Sequence, residues 1–318
     1  MTDELELGPV VRLGRAEVRV GTCSWTDKTL LNDTTWYPKK SMSAAERLAY
    51  YAARFPAVEA DSTYYRPPSE QLTSGWAERT PPGFRMNVKA YSLMTGHPTK
   101  PDTLWPDIRD GLAPDAAEKR NVYPHHLPAD AVEEVWRRFA DSLTPLLETG
   151  RLGAVLLQYP VWFTPKRDNR HELSLARQRL GQIPVCVEFR SPRWLEKDDV
   201  DRTLKFLSDH DLALVVVDAP KVSGLRPVAA ATTDLAVVRF HGRADHTWKA
   251  NTTTAAERFK YLYDRRQLRS WVGRIEELAD QAREVHVLMN NCYQDYGVHN
   301  AADMIDILEQ AATRSGAR

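Results

Sequence analysis

Residues 235–243 read LAVVRFHGR, and the alternation within that run decides the fold. Ala236, Val238 and Phe240 share one face, while Val237, Arg239 and His241 share the other. A strand turns successive side chains to opposite faces. One face of this run is apolar enough to lie under helices. The other carries a guanidinium and an imidazole near its C-terminal end. That pattern is expected where strands close on themselves and their second face lines an interior.

Seven further runs match it: Glu17–Gly21, Ala57–Asp61, Phe84–Lys89, Ala154–Gln158, Pro184–Phe189, Leu212–Val217 and Val285–Met289. Segments of helical periodicity lie between most of them: Ala44–Arg54, Ser69–Arg79, Asp130–Leu147, Leu173–Leu180, Asp199–His210 and Gln267–Glu284. A last helix is expected over Asn300–Ala312, with Asn300 as its N-cap. Eight strand–helix repeats predict an α/β fold, a closed (β/α)₈ barrel. An open doubly wound sheet usually has fewer strands and often a Gly-rich phosphate loop, and neither GxGxxG nor a P-loop occurs. Residues 1–318 are expected to form one domain. Within it, residues 91–128 form a long, proline-rich insertion after the third strand, expected to lie lid-like and mobile at the C-terminal mouth.

Lys plus Arg and Asp plus Glu both number 43, so the formal charge is zero. This does not favour nucleic acid as a partner. The acidic N-terminal stretch MTDELELGPVVRLGRAEV lacks the apolar centre of a secretory signal, and the longest apolar runs are of strand length. No membrane partner is expected. Cys23, Cys186 and Cys292 form no CxxC and no metal spacing, which suits a reducing compartment, the cytoplasm. No signal sets an oligomeric state.

The apolar helix-facing positions fix what points inward. Val58 and Ala60 face out, so Glu59 and Asp61 face in; Met86 and Val88 face out, so Asn87 and Lys89 face in. Likewise Cys186, Glu188 and Arg190 face in on the fifth strand, and Leu288 and Asn290 on the eighth. Gln158 and Asp218 end the fourth and sixth. Barrel cores are normally filled by Val, Ile and Leu. Here the upper layer sets Glu59, Asp61, Glu188 and Asp218 against Lys89, Arg190 and Arg239. Buried charges cost several kcal/mol unless paired. One reading is an ion-pair plug; clustering at the catalytic end of a barrel favours a site.

As candidate catalytic groups, Glu59, Asp61, Lys89, Glu188, Asp218 and His241 would move protons. Arg190, Arg239 and Arg243 would hold a phosphate or carboxylate, with Trp25, His97, Gln158, Asn290 and Asn291 completing substrate binding. Tyr64, Tyr65, Trp162 and Trp248 lie in the loops of that end, where they would stack on a ligand or cover the rim. No HExxH occurs, and no metal ligand or cofactor is assigned; Glu59, Asp61 and Glu188 are the carboxylates that would take a single Mg²⁺ or Mn²⁺. No GxSxG elbow is present.

The chain also carries VGTCSWTD (20–27), VEADSTYYRPPS (58–69), TGHPT (95–99), LLQYP (156–160), VEFRSPRWL (187–195), VVRFHGR (237–243) and NNCYQDYGVHNAADM (290–304). In these it resembles the YecE-like family, domain of unknown function 72. The resemblance implies a TIM-type barrel and no established activity. Cys23-Ser24 stands where the family usually has Ser-Gly, so the resemblance does not support Cys23 as a nucleophile. The residues point to an enzyme, a hydrolase or lyase acting on an anionic phosphate- or carboxylate-bearing small molecule or phosphoester. The alternative is a non-catalytic nucleotide or nucleic-acid binding module.

Overall fold

The computed structural model describes residues 5–245, 257 and 259–316; Trp248 lies outside them. Nine strands follow one another around a single sheet: β1 (Val11–Leu13), β2 (Ala16–Thr22), β3 (Ala57–Ala60), β4 (Arg85–Lys89), β5 (Leu152–Tyr159), β6 (Val185–Phe189), β7 (Ala213–Asp218), β8 (Leu235–Phe240) and β9 (Glu284–Met289). β2 and β9 pair in parallel from Glu17↔Glu284 to Thr22↔Met289, which closes β2–β9 into an eight-stranded parallel barrel. β1 stands outside the ring, antiparallel to β2. The eight sequence runs correspond to β2–β9. The three-residue β1 is too short to show a period of its own.

The period-two reading holds on most strands because the two faces form separate apolar clusters. Inside the ring lie Cys23, Ala154, Leu156, Cys186, Ala213, Val215, Val217, Val237 and Leu288. The alternate residues, including Val155, Leu157, Val185, Val187, Leu214, Val216, Ala236, Val238, Val285 and Val287, pack against the helices.

The principal helices are α1 (Ala44–Ala52), α2 (Glu70–Glu78), α3 (Ala129–Asp141), α4 (Arg167–Leu180), α5 (Val200–Asp209), α6 (Val272–Gln281) and α7 (Tyr296–Gly316). Ser69 caps α2, its side chain accepting from the Leu72 N–H. The helix expected over Asp130–Leu147 breaks after Asp141, and a new turn with Pro145 near its start runs over Thr144–Glu148. Asn300 is a correction. α7 begins at Tyr296, so Asn300 lies inside it, and its amide instead clasps the backbone of Tyr263 at 3.0 and 2.9 Å.

Residues 91–128 contain short helical turns over Ser92–Thr95, Pro101–Thr103, Pro106–Asp110, Pro114–Ala117 and Pro124–His126. Proline opens four of the five, where its missing N–H costs nothing. Thr99 and Val122 form an antiparallel bridge, and Tyr91, Leu93, Leu104, Ile108, Leu112 and Val122 join the helix-facing core.

The seam between β2 and β3 is tight, with only Gly21↔Ala57 and Thr22↔Val58 in register. Tyr51 bolts it: its hydroxyl accepts from the Thr22 N–H at 2.8 Å and donates to the Ala57 carbonyl at 3.1 Å. A Cβ on Gly21 would sit 1.8 Å from the Ala57 carbonyl oxygen. Gly21→Ala should therefore cost about 1–3 kcal/mol or more in urea denaturation. Gly273→Ala, whose Cβ would meet nothing within 4 Å, should stabilise α6 by about 0.5–1 kcal/mol.

Candidate active site at the barrel mouth

Glu188, near the end of β6, organises the C-terminal end of the barrel. Its Oε1 accepts from Gln158 Nε2 at 2.8 Å, forms an ion pair with Arg190 Nε at 2.8 Å, and lies 3.1 Å from His241 Nε2. Its Oε2 accepts from Arg239. The other arm of Arg239 reaches Glu59 Oε1 at 2.7 Å, with Cys23 Sγ at 3.6 Å. Glu59, Glu188 and Arg239 are all at most 1% exposed. Burial pushes the Glu188 carboxyl up, but Arg190, Arg239 and His241 outweigh it and hold it well below the usual carboxylate range. Asn290 places its amide nitrogen 2.7 Å from His241 Nδ1. With that amide donating, Nε2 keeps its proton and donates to Glu188. Burial keeps His241 neutral, down to about 3.

Beside this network stand two charges that it does not absorb. Lys89 ends β4 with its Nζ 4.5 Å from the centre of the Tyr64 ring, and no hydrogen bond or ion pair holds it among the described residues. Burial, Arg239 and Arg190 hold its ammonium below the usual lysine range, against Glu59 and Asp61. Asp61 likewise has no hydrogen-bond partner for its carboxylate among the described residues. Burial raises it to about 6, helped by Glu59 and opposed by Lys89. Glu59 Oε2 and Arg239 Nε are buried without a hydrogen-bond partner among the described residues.

A cavity of 390 Å³ opens over Lys89, lined by Tyr64, Tyr65, His97, Gln158, Trp162 and Arg190, with Pro160, Val161 and Phe259. Insertion residue His97 places Nδ1 2.9 Å from Thr95 Oγ1, and its ring meets Tyr64 and Trp162 at 5.4 and 6.2 Å. Burial, with Lys89 and Arg190, pushes this imidazole down to about 4. Tyr65, Val161 and Trp162, each 62% exposed, flank the opening.

Of the eight charged or titratable residues that the sequence places in the inner layer at this end, seven belong to this cluster: Glu59, Asp61, Lys89, Glu188, Arg190, Arg239 and His241. Gln158 and His97 join them. Asp218 and Arg243 do not. Asp218 shares parity with Leu214 and Val216, so it faces the helices, not the barrel axis. There it accepts from Tyr263 Oη at 3.0 Å, Trp271 Nε1 at 2.6 Å and Arg243 Nε at 2.9 Å. This ion pair lines a separate 380 Å³ cavity with Lys221, Leu225 and Arg274. The run Ala213–Val217 is apolar throughout, so it carried no signal of which face Asp218 takes. Trp25 is buried edge-on against Trp76. Asn291 is buried and donates to Tyr261 O and Asn300 Oδ1, each at 2.8 Å. Among the described residues no group of three or more His, Cys, Asp or Glu side chains is arranged to hold a metal ion.

The N-terminal end carries a second charged layer that the register reading passed over. Arg19 meets Glu17 at 2.6 Å and Glu284 at 2.9 Å, and Arg85 meets Glu284 at 2.9 Å. His286 lies 2.9 Å from both Glu284 and Asn87. The alternations Val18-Arg19-Val20 and Val285-His286-Val287 were the available signal. Phe259, in the segment between β8 and β9, had no periodic signal at all.

Two measurements check this geometry. Glu188→Gln leaves Arg239 with one carboxylate and should cost about 3–5 kcal/mol in thermal or denaturant unfolding. Asp61 behaves oppositely. Its folded carboxyl is raised from 3.8 to about 6, so the folded state holds the proton more tightly. The stability from that proton is present below about pH 4 and lost as pH rises through 6. Asp61→Asn should gain about 2–3 kcal/mol on wild type between pH 4 and pH 8. A difference flat with pH would show that Asp61 is not held in this way.

Residues 19–317 match the family described as "Protein of unknown function DUF72". The UPF0759 protein YunF of Bacillus subtilis (strain 168) is 30% identical over 298 residues, covering 92% of this chain and 95% of that one. A DUF72 family protein of Thermotoga maritima MSB8 superposes with a TM-score of 0.71 at 29% identity, covering 92% of this chain and 99% of that one. One from Enterococcus faecalis V583 gives 0.73 at 25%, covering 92% and 95%. The YecE-like resemblance of the motifs and the TIM-type barrel agree with these relatives, and the chain belongs to the DUF72 family of proteins of unknown function.

Proposed function

We propose that the cavity over Lys89 is the active site of an enzyme, of hydrolase or lyase type, acting on a small molecule that bears a phosphate or carboxylate. One observation carries this reading. In a chain of zero formal charge, both charged residues lining the cavity, Lys89 and Arg190, are cations. Half-buried cations recruit an anion, and the Arg190 fork suits phosphate or carboxylate oxygens. The exposed rings of Tyr65 and Trp162 offer a planar or apolar part of the ligand a stacking surface.

Proton transfer falls to Asp61 and Lys89, the two titratable groups that burial has moved toward neutrality from opposite directions. Arg239, Glu59, Glu188 and His241 hold the floor of the site. The anion role expected of three arginines rests on Arg190 with Lys89 because these two line the cavity; Arg190 also pairs with Glu188, Arg239 lies between two glutamates, and Arg243 pairs with Asp218.

Calorimetric titration with inorganic phosphate and pyrophosphate tests the reading. Wild type should bind, and Arg190→Met should lose about 1.5–3 kcal/mol of affinity, the range for a charged hydrogen bond. Absent binding, or binding indifferent to Arg190→Met, overturns it. Asp61→Asn should leave binding in place and abolish turnover once a substrate is in hand; unchanged turnover would remove Asp61 from the proton transfer.

A further inference from the structure

We infer that Lys89 acts as an amine nucleophile, condensing with the carbonyl group of a small anionic aldehyde or ketone held in the barrel-mouth cavity. The inference rests on the reading of that cavity as an anion site and adds the bond that is made there.

Lys89 is placed for this role by its surroundings. Its carbonyl accepts from Thr63 Oγ1 at 2.5 Å, which ties the end of β4 to the turn after β3. Its side chain enters the cavity from a rigid strand end, the position from which barrel enzymes present reactive groups. Two of the carboxylates near it are engaged, since Arg239 takes one oxygen each from Glu59 and Glu188. The third, Asp61, acts on the amine without an ion pair or hydrogen bond to it among the described residues, and the amine lies over the face of Tyr64 at the open cavity. A lysine desolvated next to other cations gives up its proton readily, and the free amine is then the nucleophile. Arg239 and Arg190 are those cations. Arg190 on the same wall would hold the phosphate or carboxylate of the partner and so orient its carbonyl carbon toward Nζ.

The step balances without a further reagent. The Nζ lone pair forms the N–C bond while the carbonyl π pair moves to oxygen, which takes a proton from the Asp61 carboxyl. Nitrogen returns a proton to Asp61, giving a neutral carbinolamine. Reprotonation of the hydroxyl by Asp61 expels water and leaves a protonated imine on Lys89. The imine draws electrons from the bond next to the former carbonyl carbon, which is the chemistry a lyase needs.

The test uses the full chain with pyruvate or glyceraldehyde 3-phosphate, followed by borohydride and peptide mapping. A reduction-dependent adduct should form on Lys89, saturate with the carbonyl compound, and be suppressed by inorganic phosphate. Exposed lysines such as Lys28 and Lys205 should show only slow, non-saturating labelling. Lys89→Arg should lose the adduct while still binding phosphate. If that variant does not fold, phosphate competition in the wild type decides. Labelling confined to exposed lysines, with phosphate binding intact, overturns the nucleophile and spares the anion site. Loss of phosphate binding in the wild type overturns both.

Discussion

The buried triad Glu59–Arg239–Glu188 is the constraint on which the rest of the structure depends. It joins β3, β6 and β8 across the barrel interior, through a guanidinium and two carboxylates that are almost wholly out of water. Charges so placed are tolerable only while each keeps its partners, because desolvation costs several kcal/mol per ion. Glu188 meets that condition most fully, with Gln158, Arg190, Arg239 and His241 around its two oxygens. Asn290 then sets the His241 tautomer from the next strand. The strand ends around this carboxylate are thereby held to one geometry.

The triad also decides what is left over. With Arg239 drawing on both glutamates, Lys89 and Asp61 lie near the network without an ion pair or hydrogen bond to it. Their burial is a cost that the fold does not need. The opposite end of the barrel provides the comparison within one molecule. There Glu17, Arg19, Arg85 and Glu284 are all ion-paired, and Glu284 is held down to about 2 despite its burial, by His286, Arg19 and Arg85. Charged layers therefore serve stability in this protein where they are matched. Unmatched ones sit at the C-terminal mouth, where barrel enzymes place their chemistry.

The cavity above them combines two cations with exposed aromatic edges, and the insertion contributes His97 to its wall. Short proline-initiated turns and a buried apolar side anchor that insertion to the barrel. Under the proposed function, this arrangement of charge, ring and space is what ties the fold to a chemistry.

Strand alternation by itself determined the closed barrel, the inward direction of Glu59, Lys89, Glu188, Arg239 and His241, and the apolar lining beneath them. Those are local properties: a period of two and a helix-facing requirement leave each side chain one direction. Asp218 was not legible in this way, because Ala213–Val217 are apolar on both faces and nothing in the run says which face its end takes. What only the tertiary structure decided was partnership. Which carboxylate Arg239 would claim, that Arg243 would spend itself on Asp218, and that Trp25 and Asn291 would pack inward all depend on distances between strands and loops far apart in sequence. The capping role expected of Asn300 failed because α7 starts earlier, at Tyr296, which leaves the Asn300 amide inside the helix to bind Tyr263. A side chain's direction follows from its own strand, but its charge state and its freedom to react follow from neighbours that meet only when the ring closes.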